Sequence, residues 1–164
     1  MIDNSDGKET KMETPAIPTL DAQLCFAIYS AAHAFTRSYK PLLDPFGLTY
    51  PQYLVMLALW EEDGRTVKAL GGSLGLDSGT LSPLLKRLEA SGYIARARDR
   101  DDERQLLVTL TPRGRDLGGE AAGIRAEIGR ATGCAPGVLE ELTAALRRLT
   151  DNLKAGEDTQ ADAA

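Results

Sequence analysis

The sequence predicts a mainly α-helical fold that carries one small β-hairpin, and three observations support it. Leucines at positions 81, 84, 85 and 88 repeat with the spacing of an amphipathic helix. Two strands, at about 93–98 and 105–110, follow that helix and are joined by a charged turn. A short helix at about 66–74 precedes it. The order short helix, turn, amphipathic helix and hairpin defines a winged helix-turn-helix.

The other apolar patterns predict four more helices, at about 20–43, 49–62, 111–132 and 135–153. Six glycines lie between 114 and 133, five of them within the helix at 111–132 and one directly after it. Because each interior glycine costs about 1 kcal/mol relative to alanine, this helix needs a partner to persist. We expect residues 1–17 to be a disordered tail, residues 18–155 a single domain and residues 156–164 an acidic tail.

Composition places this chain of 164 residues among soluble globular proteins, with 43% hydrophobic and 26% charged residues. The sequence contains no run of about 18 apolar residues, so no membrane span is expected. The N-terminus does not show the basic segment and apolar stretch of a secretory signal. We therefore expect a cytoplasmic protein without a membrane partner.

The net charge of −5 argues against DNA binding until its distribution is considered. Residues 1–13 carry four acids against two bases, and residues 156–164 carry three acids and no base. These two ends hold the whole net charge, so residues 14–155 are balanced. Within 82–100, five bases stand against two acids, and such a local positive patch can bind phosphates.

Small polar residues at the start of the amphipathic helix would let it enter the major groove of DNA. The plainer alternative is a helical hairpin whose charges are simply solvated. Under the DNA-binding interpretation, base or phosphate contacts fall to Ser78, Thr80 and Ser82, and phosphate contacts to Lys86 and Arg87. The wing adds Arg96, Arg98, Arg100 and Arg104, which would lie over the DNA backbone or in the minor groove.

The chain has two cysteines, Cys25 and Cys134, and one histidine, His33. Without a Cys-x-x-Cys pair, this set does not predict a structural zinc site, and no other metal or cofactor is expected. A lasting structural disulfide is also unexpected in a reducing compartment. The two cysteines are therefore either buried spectators or a redox pair.

Several motifs together resemble the MarR family of repressors, and the resemblance covers essentially the whole of residues 20–153. These motifs are LDSGTLSPLLKRLE at 76–89, GYI at 92–94 and DER at 102–104. Three shorter motifs resemble the organic-hydroperoxide-sensing OhrR subgroup: LCF at 24–26, YKPLL at 39–43 and TYPQY at 49–53. A second cysteine such as Cys134 is similar to that of the two-cysteine type within this subgroup.

The resemblance implies a two-fold homodimer built from the N- and C-terminal helices, at about 19–44 and 111–153. Each subunit would present one winged helix, at about 48–110, to a pseudo-palindromic operator. The residues that the resemblance connects with DNA binding are Arg96 and Arg104 of the wing, and Asp77, which would orient wing arginines.

The resemblance also makes Cys25 the residue that reacts with peroxide. Tyr39 and Tyr50, from the other subunit, would hydrogen-bond its sulfur, and Tyr29 would complete the pocket. Hydrogen bonds from phenols favour the thiolate, which is the form that attacks a peroxide. Cys134 would then capture the resulting sulfenic acid as an intersubunit disulfide.

These observations predict a repressor that leaves its operator when an organic hydroperoxide oxidises Cys25, so that a peroxide-detoxification gene is transcribed. One alternative is a MarR-type regulator that responds to a small phenolic or lipophilic ligand and whose cysteines are spectators. A second alternative is a thiol peroxidase that uses both cysteines. It is disfavoured because a peroxidase has no use for a helix-turn-helix, and the chain is therefore not predicted to be an enzyme.

Overall fold

The computed structural model describes residues 19–99, 102 and 104–161. The chain divides into two compact units, Met1–Ala34 and Phe35–Ala164. Its main elements, in chain order, are α1 (Leu24–Leu43), α2 (Tyr50–Glu61), β1 (Arg65–Thr66), α3 (Val67–Leu74), α4 (Ser78–Ala90), β2 (Ile94–Arg98), β3 (Leu106–Leu110), α5 (Pro112–Leu117), α6 (Ala121–Thr132) and α7 (Pro136–Ala161).

The predicted fold class is confirmed, because the described part of the chain is mainly helical and carries one small antiparallel sheet. β2 and β3 form the predicted hairpin, in a register that pairs Arg96 with Val108. A further strand, β1, pairs with β3 through Arg65 and Thr66, which gives the order β1-β3-β2. The sequence did not predict β1, because two residues are too short to show an alternating pattern.

The core of the second unit forms where α4 packs against α2 and α3. On the predicted leucine face of α4, Leu81, Leu85 and Leu88 are fully buried. Full burial of one such side chain contributes roughly 1.5–3 kcal/mol, so this packing holds α4 in place. The fully buried partners on α2, α3 and β3 are Val55, Met56, Leu59, Leu70 and Val108.

The turn between α3 and α4 depends on two glycines. Gly75 ends α3 with a φ of 64°, in the left-handed region that glycine adopts at little cost. A Cβ atom at Gly71 would lie 2.8 Å from the carbonyl oxygen of Leu76, so the turn folds back onto α3 at a distance that only glycine permits. The weak intrinsic helicity of α3 is thus offset by its packing.

The single helix predicted at 111–132 is wrong, because the 3-10 segment Gly118–Glu120 separates α5 from α6. Adjacent glycines at 118 and 119 weaken the helix at this point, since glycine loses the most backbone freedom on folding. Gly118 also lies against the indole of Trp60, and a Cβ atom there would be 3.2 Å from Nε1. The interruption therefore follows from backbone entropy and from a tertiary contact.

Two helix ends differ from their predicted positions. A 3-10 turn occupies Leu20–Ala22, so α1 begins at Leu24 instead of residue 20. The sequence pattern predicts an end at about 153, yet α7 continues to Ala161 because no proline interrupts it after Pro136.

The predicted disordered tail, 1–17, and the last three residues of the predicted acidic tail lie outside the described residues. No helix within the described ranges is long and apolar enough to cross a membrane.

We expect Gly114→Ala to destabilise the fold. A Cβ atom at Gly114 would lie 2.0 Å from the carbonyl oxygen of Tyr93, so the backbone has to move. Overpacking of this kind typically costs about 1–3 kcal/mol, which urea unfolding followed by circular dichroism would detect. Gly119→Ala is the matched control, because nothing lies within 4 Å of its Cβ position. Equal stability of the two variants would contradict the close approach.

Candidate DNA interface and thiol site

The start of α4 presents the polar residues that the sequence predicts to contact DNA. Asp77 is the N-cap, and its carboxylate accepts hydrogen bonds from the Thr80 N–H at 2.9 Å and from the Thr80 hydroxyl at 2.8 Å. These bonds hold the pKa of Asp77 below its usual value. Because its hydrogen is already donated, the Thr80 hydroxyl can offer a ligand only its lone pairs. The predicted task of Asp77 in orienting wing arginines stays a prediction.

A shallow groove on α4 collects four of the residues predicted to bind DNA. α4 supplies the two serines and the lysine, and β2 of the wing supplies the arginine. The serine and lysine side chains are exposed, as a helix that meets DNA requires. The residues lining the groove are Ser78, Gly79, Ser82, Pro83, Lys86 and Arg96.

A second groove runs between α3, α4 and the wing. Its polar lining includes Ser78, which is shared with the first groove, and Arg104 of the wing. Lys68 and Gln105 also line it, and neither was predicted from the sequence. A signal for Lys68 existed, since it is the one base in the helix that precedes α4. Of the other predicted contacts, Arg87 and Arg98 are exposed, and Arg100 lies outside the described residues.

Arg96 is tied to α4 by an ion pair. Its guanidinium donates to Glu89 Oε2 at 2.7 and 3.0 Å, and its backbone N–H donates to Glu89 Oε1 at 3.2 Å. The hydrogen bonds from Arg96 hold the pKa of Glu89 below its usual value. The pair joins β2 to α4, so it fixes the wing to the helix and partly neutralises the charge of Arg96.

In the first unit, Cys25 lies on α1 with an exposed side chain. Tyr29, one helical turn further on, is 61% exposed. The Tyr29 ring stacks on Phe26, with the ring centroids 6.5 Å apart, and meets His33 edge-on at 4.3 Å. The Cys25 thiol is therefore not buried within the single chain and is accessible to a dissolved solute, and its redox role stays a prediction.

In the second unit, Tyr39 of α1 packs against two phenols of α2. Its ring centroid lies 4.6 Å from that of Tyr50 and 5.7 Å from that of Tyr53. Burial and, to a smaller extent, the neighbouring phenols raise the pKa of Tyr39 to about 12. The positive charge of Arg125 acts in the opposite direction and lowers the pKa. Burial also raises the pKa of Tyr50. Both phenols therefore stay protonated at neutral pH and can act as O–H donors.

Cys134 lies between α6 and α7 and is also exposed. Its backbone N–H donates to Thr132 Oγ1 at 3.2 Å, and its thiol donates to the Thr132 carbonyl oxygen at 3.5 Å. Arg125 and Arg147 line the same groove as this thiol. Within the described residues, neither cysteine belongs to a group of side chains that could hold a metal ion. The contacts predicted between Cys25 and residues of the second unit stay predictions.

An apolar stripe runs along α7. Val138, Leu142, Leu146 and Leu153 are each between 44% and 63% exposed, and their spacing places them on one helical face. In the first unit, Leu20 and Leu24 are exposed as well. Contiguous exposed apolar surface of this kind marks an interaction site.

The sequence profile of the family described as transcriptional regulator SarA/Rot matches residues 37–120, just over half of the chain. The HTH-type transcriptional regulator TtmR of Methylorubrum extorquens is 55% identical over 140 residues, which cover 85% of this chain and 68% of the relative. The organic hydroperoxide resistance transcriptional regulator of Bacillus subtilis is 45% identical over 134 residues, which cover 82% of this chain and 91% of the relative.

Solved structures of AbfR, a protein of Staphylococcus epidermidis, share the fold. Reduced AbfR bound to DNA matches with a TM-score of 0.68 and 39% identity, over 82% of this chain and 92% of that chain. AbfR with its disulfide formed matches with a TM-score of 0.58 and 43% identity, over 80% and 92%. These likenesses confirm the resemblance drawn from the sequence motifs. The chain belongs to the SarA/Rot-type transcriptional regulators of the MarR family, which bind DNA through a winged helix.

We expect Tyr39→Phe to flatten the dependence of stability on alkaline pH. The phenol ionises near pH 10.0 in the unfolded chain but only near pH 12 in the folded chain, so the unfolded state binds fewer protons in this window. Stability is therefore fully present below pH 10 and falls as the pH rises towards 12. Urea unfolding at several pH values measures this slope. The exposed phenol of Tyr29 provides the control, Tyr29→Phe, and an unchanged slope in Tyr39→Phe would refute the burial argument.

The ion pair between Glu89 and Arg96 predicts coupling between these residues in stability measurements. Glu89→Gln, Arg96→Gln and the double variant form a cycle, and we expect a coupling energy of about 0.5–1 kcal/mol because the pair is partly exposed. The matched cycle pairs Glu89→Gln with Arg87→Gln, whose side chain does not face Glu89 on the helix. A coupling energy no larger than that of the Arg87 cycle would show that Arg96 does not hold the wing.

Proposed function

We propose that the chain is a repressor that binds operator DNA as a homodimer and leaves it when an organic hydroperoxide oxidises Cys25. The proposal rests on the exposed thiol of Cys25 in a chain that also carries a winged helix. The 45% identity to the Bacillus subtilis organic hydroperoxide resistance regulator supports it. AbfR supports it too, since that protein is known both reduced on DNA and with a disulfide formed. Release would let a peroxide-detoxification gene be transcribed.

The proposed homodimer would cover the apolar stripe of α7 and the exposed leucines of the first unit. A two-fold axis would set the two copies of α4 about 34–36 Å apart, which is one turn of DNA. Each α4 would then enter a major groove of a pseudo-palindromic site. We assign DNA contacts to Ser78, Thr80, Ser82, Lys86 and Arg87 on α4 and to Arg96, Arg98 and Arg104 on the wing, with Asp77 capping α4.

The proposed reaction begins when the thiolate of Cys25 attacks one oxygen of the peroxide. The O–O bond breaks, the other oxygen leaves as an alkoxide that is protonated to an alcohol, and Cys25 becomes a sulfenic acid. The thiolate of Cys134 then attacks this sulfur, a disulfide forms, and the departing hydroxide is protonated to water. The two electrons lost by the thiols therefore reduce one peroxide to an alcohol and water.

The phenols of Tyr39 and Tyr50 are assigned to hydrogen bonds with Cys25 of the partner subunit. This arrangement across the subunits is the one that the resemblance to the organic-hydroperoxide-sensing subgroup implies. Because the pKa of Tyr39 is raised to about 12, its hydrogen is retained where the thiolate forms. Tyr29, one turn after Cys25, would border the same pocket.

We expect Cys25→Ser to bind DNA as the unaltered chain does but to ignore peroxide. Serine preserves the shape of the side chain yet supplies no thiolate, so the first step cannot occur. A gel shift on the DNA upstream of the chain's own coding sequence, with and without cumene hydroperoxide, measures the response. Release of Cys25→Ser by the peroxide would refute the assignment.

A non-reducing gel of the same samples follows the disulfide. Intersubunit capture by Cys134 predicts a covalent dimer of the unaltered chain after peroxide treatment and none for Cys134→Ser. A disulfide-linked monomer would place the bond within one subunit instead. Induction by a phenolic ligand in Cys25→Ser would favour a regulator with spectator cysteines. Sustained peroxide turnover with a thiol reductant, unaffected by Arg104→Ala, would favour an enzyme.

A further inference from the structure

Four aromatic side chains form a continuous row inside the second unit. Tyr39 of α1 packs against Tyr50 and Tyr53 of α2, with ring centroids 4.6 and 5.7 Å away. Tyr53 in turn meets Trp60 edge-on, with 5.9 Å between the centroids. Tyr53 is 2% exposed, so the middle of the row is buried. The row leads from the phenols assigned to Cys25 to the far end of α2.

At that end, Trp60 lies against the interrupted helix that follows the wing. Its indole Nε1 donates a hydrogen bond of 2.8 Å to the carbonyl oxygen of Gly114, in α5. A Cβ atom at Gly118 would lie 3.2–3.4 Å from three atoms of the same indole. The indole therefore contacts α5 directly and also contacts the 3-10 segment that separates α5 from α6.

Gly114 in turn lies at the base of the wing. Tyr93 precedes β2 and Thr111 follows β3, so the two residues are the two ends of the hairpin. Thr111 joins them by donating its N–H to the Tyr93 carbonyl at 3.0 Å and its hydroxyl to the Gly92 carbonyl at 2.7 Å. The Gly114 N–H donates to the Thr111 hydroxyl at 3.0 Å. Packing at Gly114 is so close that a Cβ atom would be 2.0 Å from the Tyr93 oxygen.

We propose that Trp60 is a positioning residue that links the state of the Tyr39–Tyr50 pair to the position of the wing. The inference rests on the proposed function, in which those phenols contact Cys25. When the sulfur is oxidised, it loses its role as an anionic acceptor and the phenols have to repack. Close-packed side chains transmit such a change, because they have few alternative arrangements. The contact between the indole and Gly118, at the break between α5 and α6, is where this repacking would reach α5 and the base of the wing.

A purely structural Trp60 would behave differently in one measurable respect. If the indole only filled the core, its alteration would change stability and would weaken DNA binding equally in the reduced and oxidised states. If it transmits the signal, its alteration changes the ratio between the two affinities, since that ratio is the coupling between oxidation and DNA binding. The ratio therefore separates transmission from packing.

The test compares Trp60→Phe, which keeps a ring but removes the N–H donor, with Gly118→Ala, which pushes a methyl group towards the indole. Gly119→Ala is the matched control, because nothing lies within 4 Å of its Cβ position. The Kd for duplex DNA from upstream of the chain's own coding sequence is measured for thiol-reduced and for cumene-hydroperoxide-oxidised protein. We expect both test variants to lower the oxidised-to-reduced Kd ratio at least about threefold and Gly119→Ala to retain it.

Trp60 is the chain's one tryptophan, so its fluorescence provides an independent signal. The emission maximum should shift when the unaltered chain is oxidised and stay fixed in Cys25→Ser. If Trp60→Phe does not fold, Gly118→Ala and the fluorescence shift decide the matter. If both variants keep the oxidised-to-reduced Kd ratio of the unaltered chain and the emission maximum does not shift, the role of Trp60 is overturned and the proposed function still stands. An unaltered chain whose Kd ignores the peroxide would overturn both.

Discussion

Burial of one face of α4 is the constraint on which the rest of this regulator depends. Leu81, Leu85 and Leu88 are fully buried against α2 and α3. Because a helix repeats every 3.6 residues, fixing these three leucines also fixes which side chains remain outside. The serines and Lys86 of the α4 groove are those side chains. The surface assigned to DNA contacts is therefore a consequence of core packing.

The wing depends on α4 through a second, polar contact. Glu89 lies near the end of α4 and binds Arg96 of β2, so the ion pair favours one position of the hairpin relative to the helix. A wing held in this position would keep the spacing of the cationic groups proposed to bind phosphates, and Arg104 and Lys68 extend that surface along the second groove. The acidic excess of the sequence resides in the two ends of the chain, away from these bases in sequence.

The proposed thiol chemistry places opposite demands on the same chain. Cys25 is exposed and open to a solute, whereas the phenols assigned to it are partly buried and keep their hydrogens. Exposure allows a peroxide to reach the sulfur, and burial keeps the donors in one protonation state. In the proposed mechanism the aromatic row would carry the effect of oxidation inwards, because it ends at Trp60, where α5 meets the base of the wing. Contacts between packed rings would then connect the phenols assigned to Cys25 with the base of the wing.

The sequence by itself determined the parts of this protein that local patterns specify. The leucine spacing of α4 and the hairpin with its charged turn involve neighbours within a few residues, so the winged helix-turn-helix could be predicted. Tertiary structure alone decided the strand β1, the pairing of Arg96 with Glu89 and the interruption at Gly118–Glu120. Each of these depends on a contact between segments that lie apart in the chain, such as Trp60 with Gly118, and no local spacing encodes such a contact.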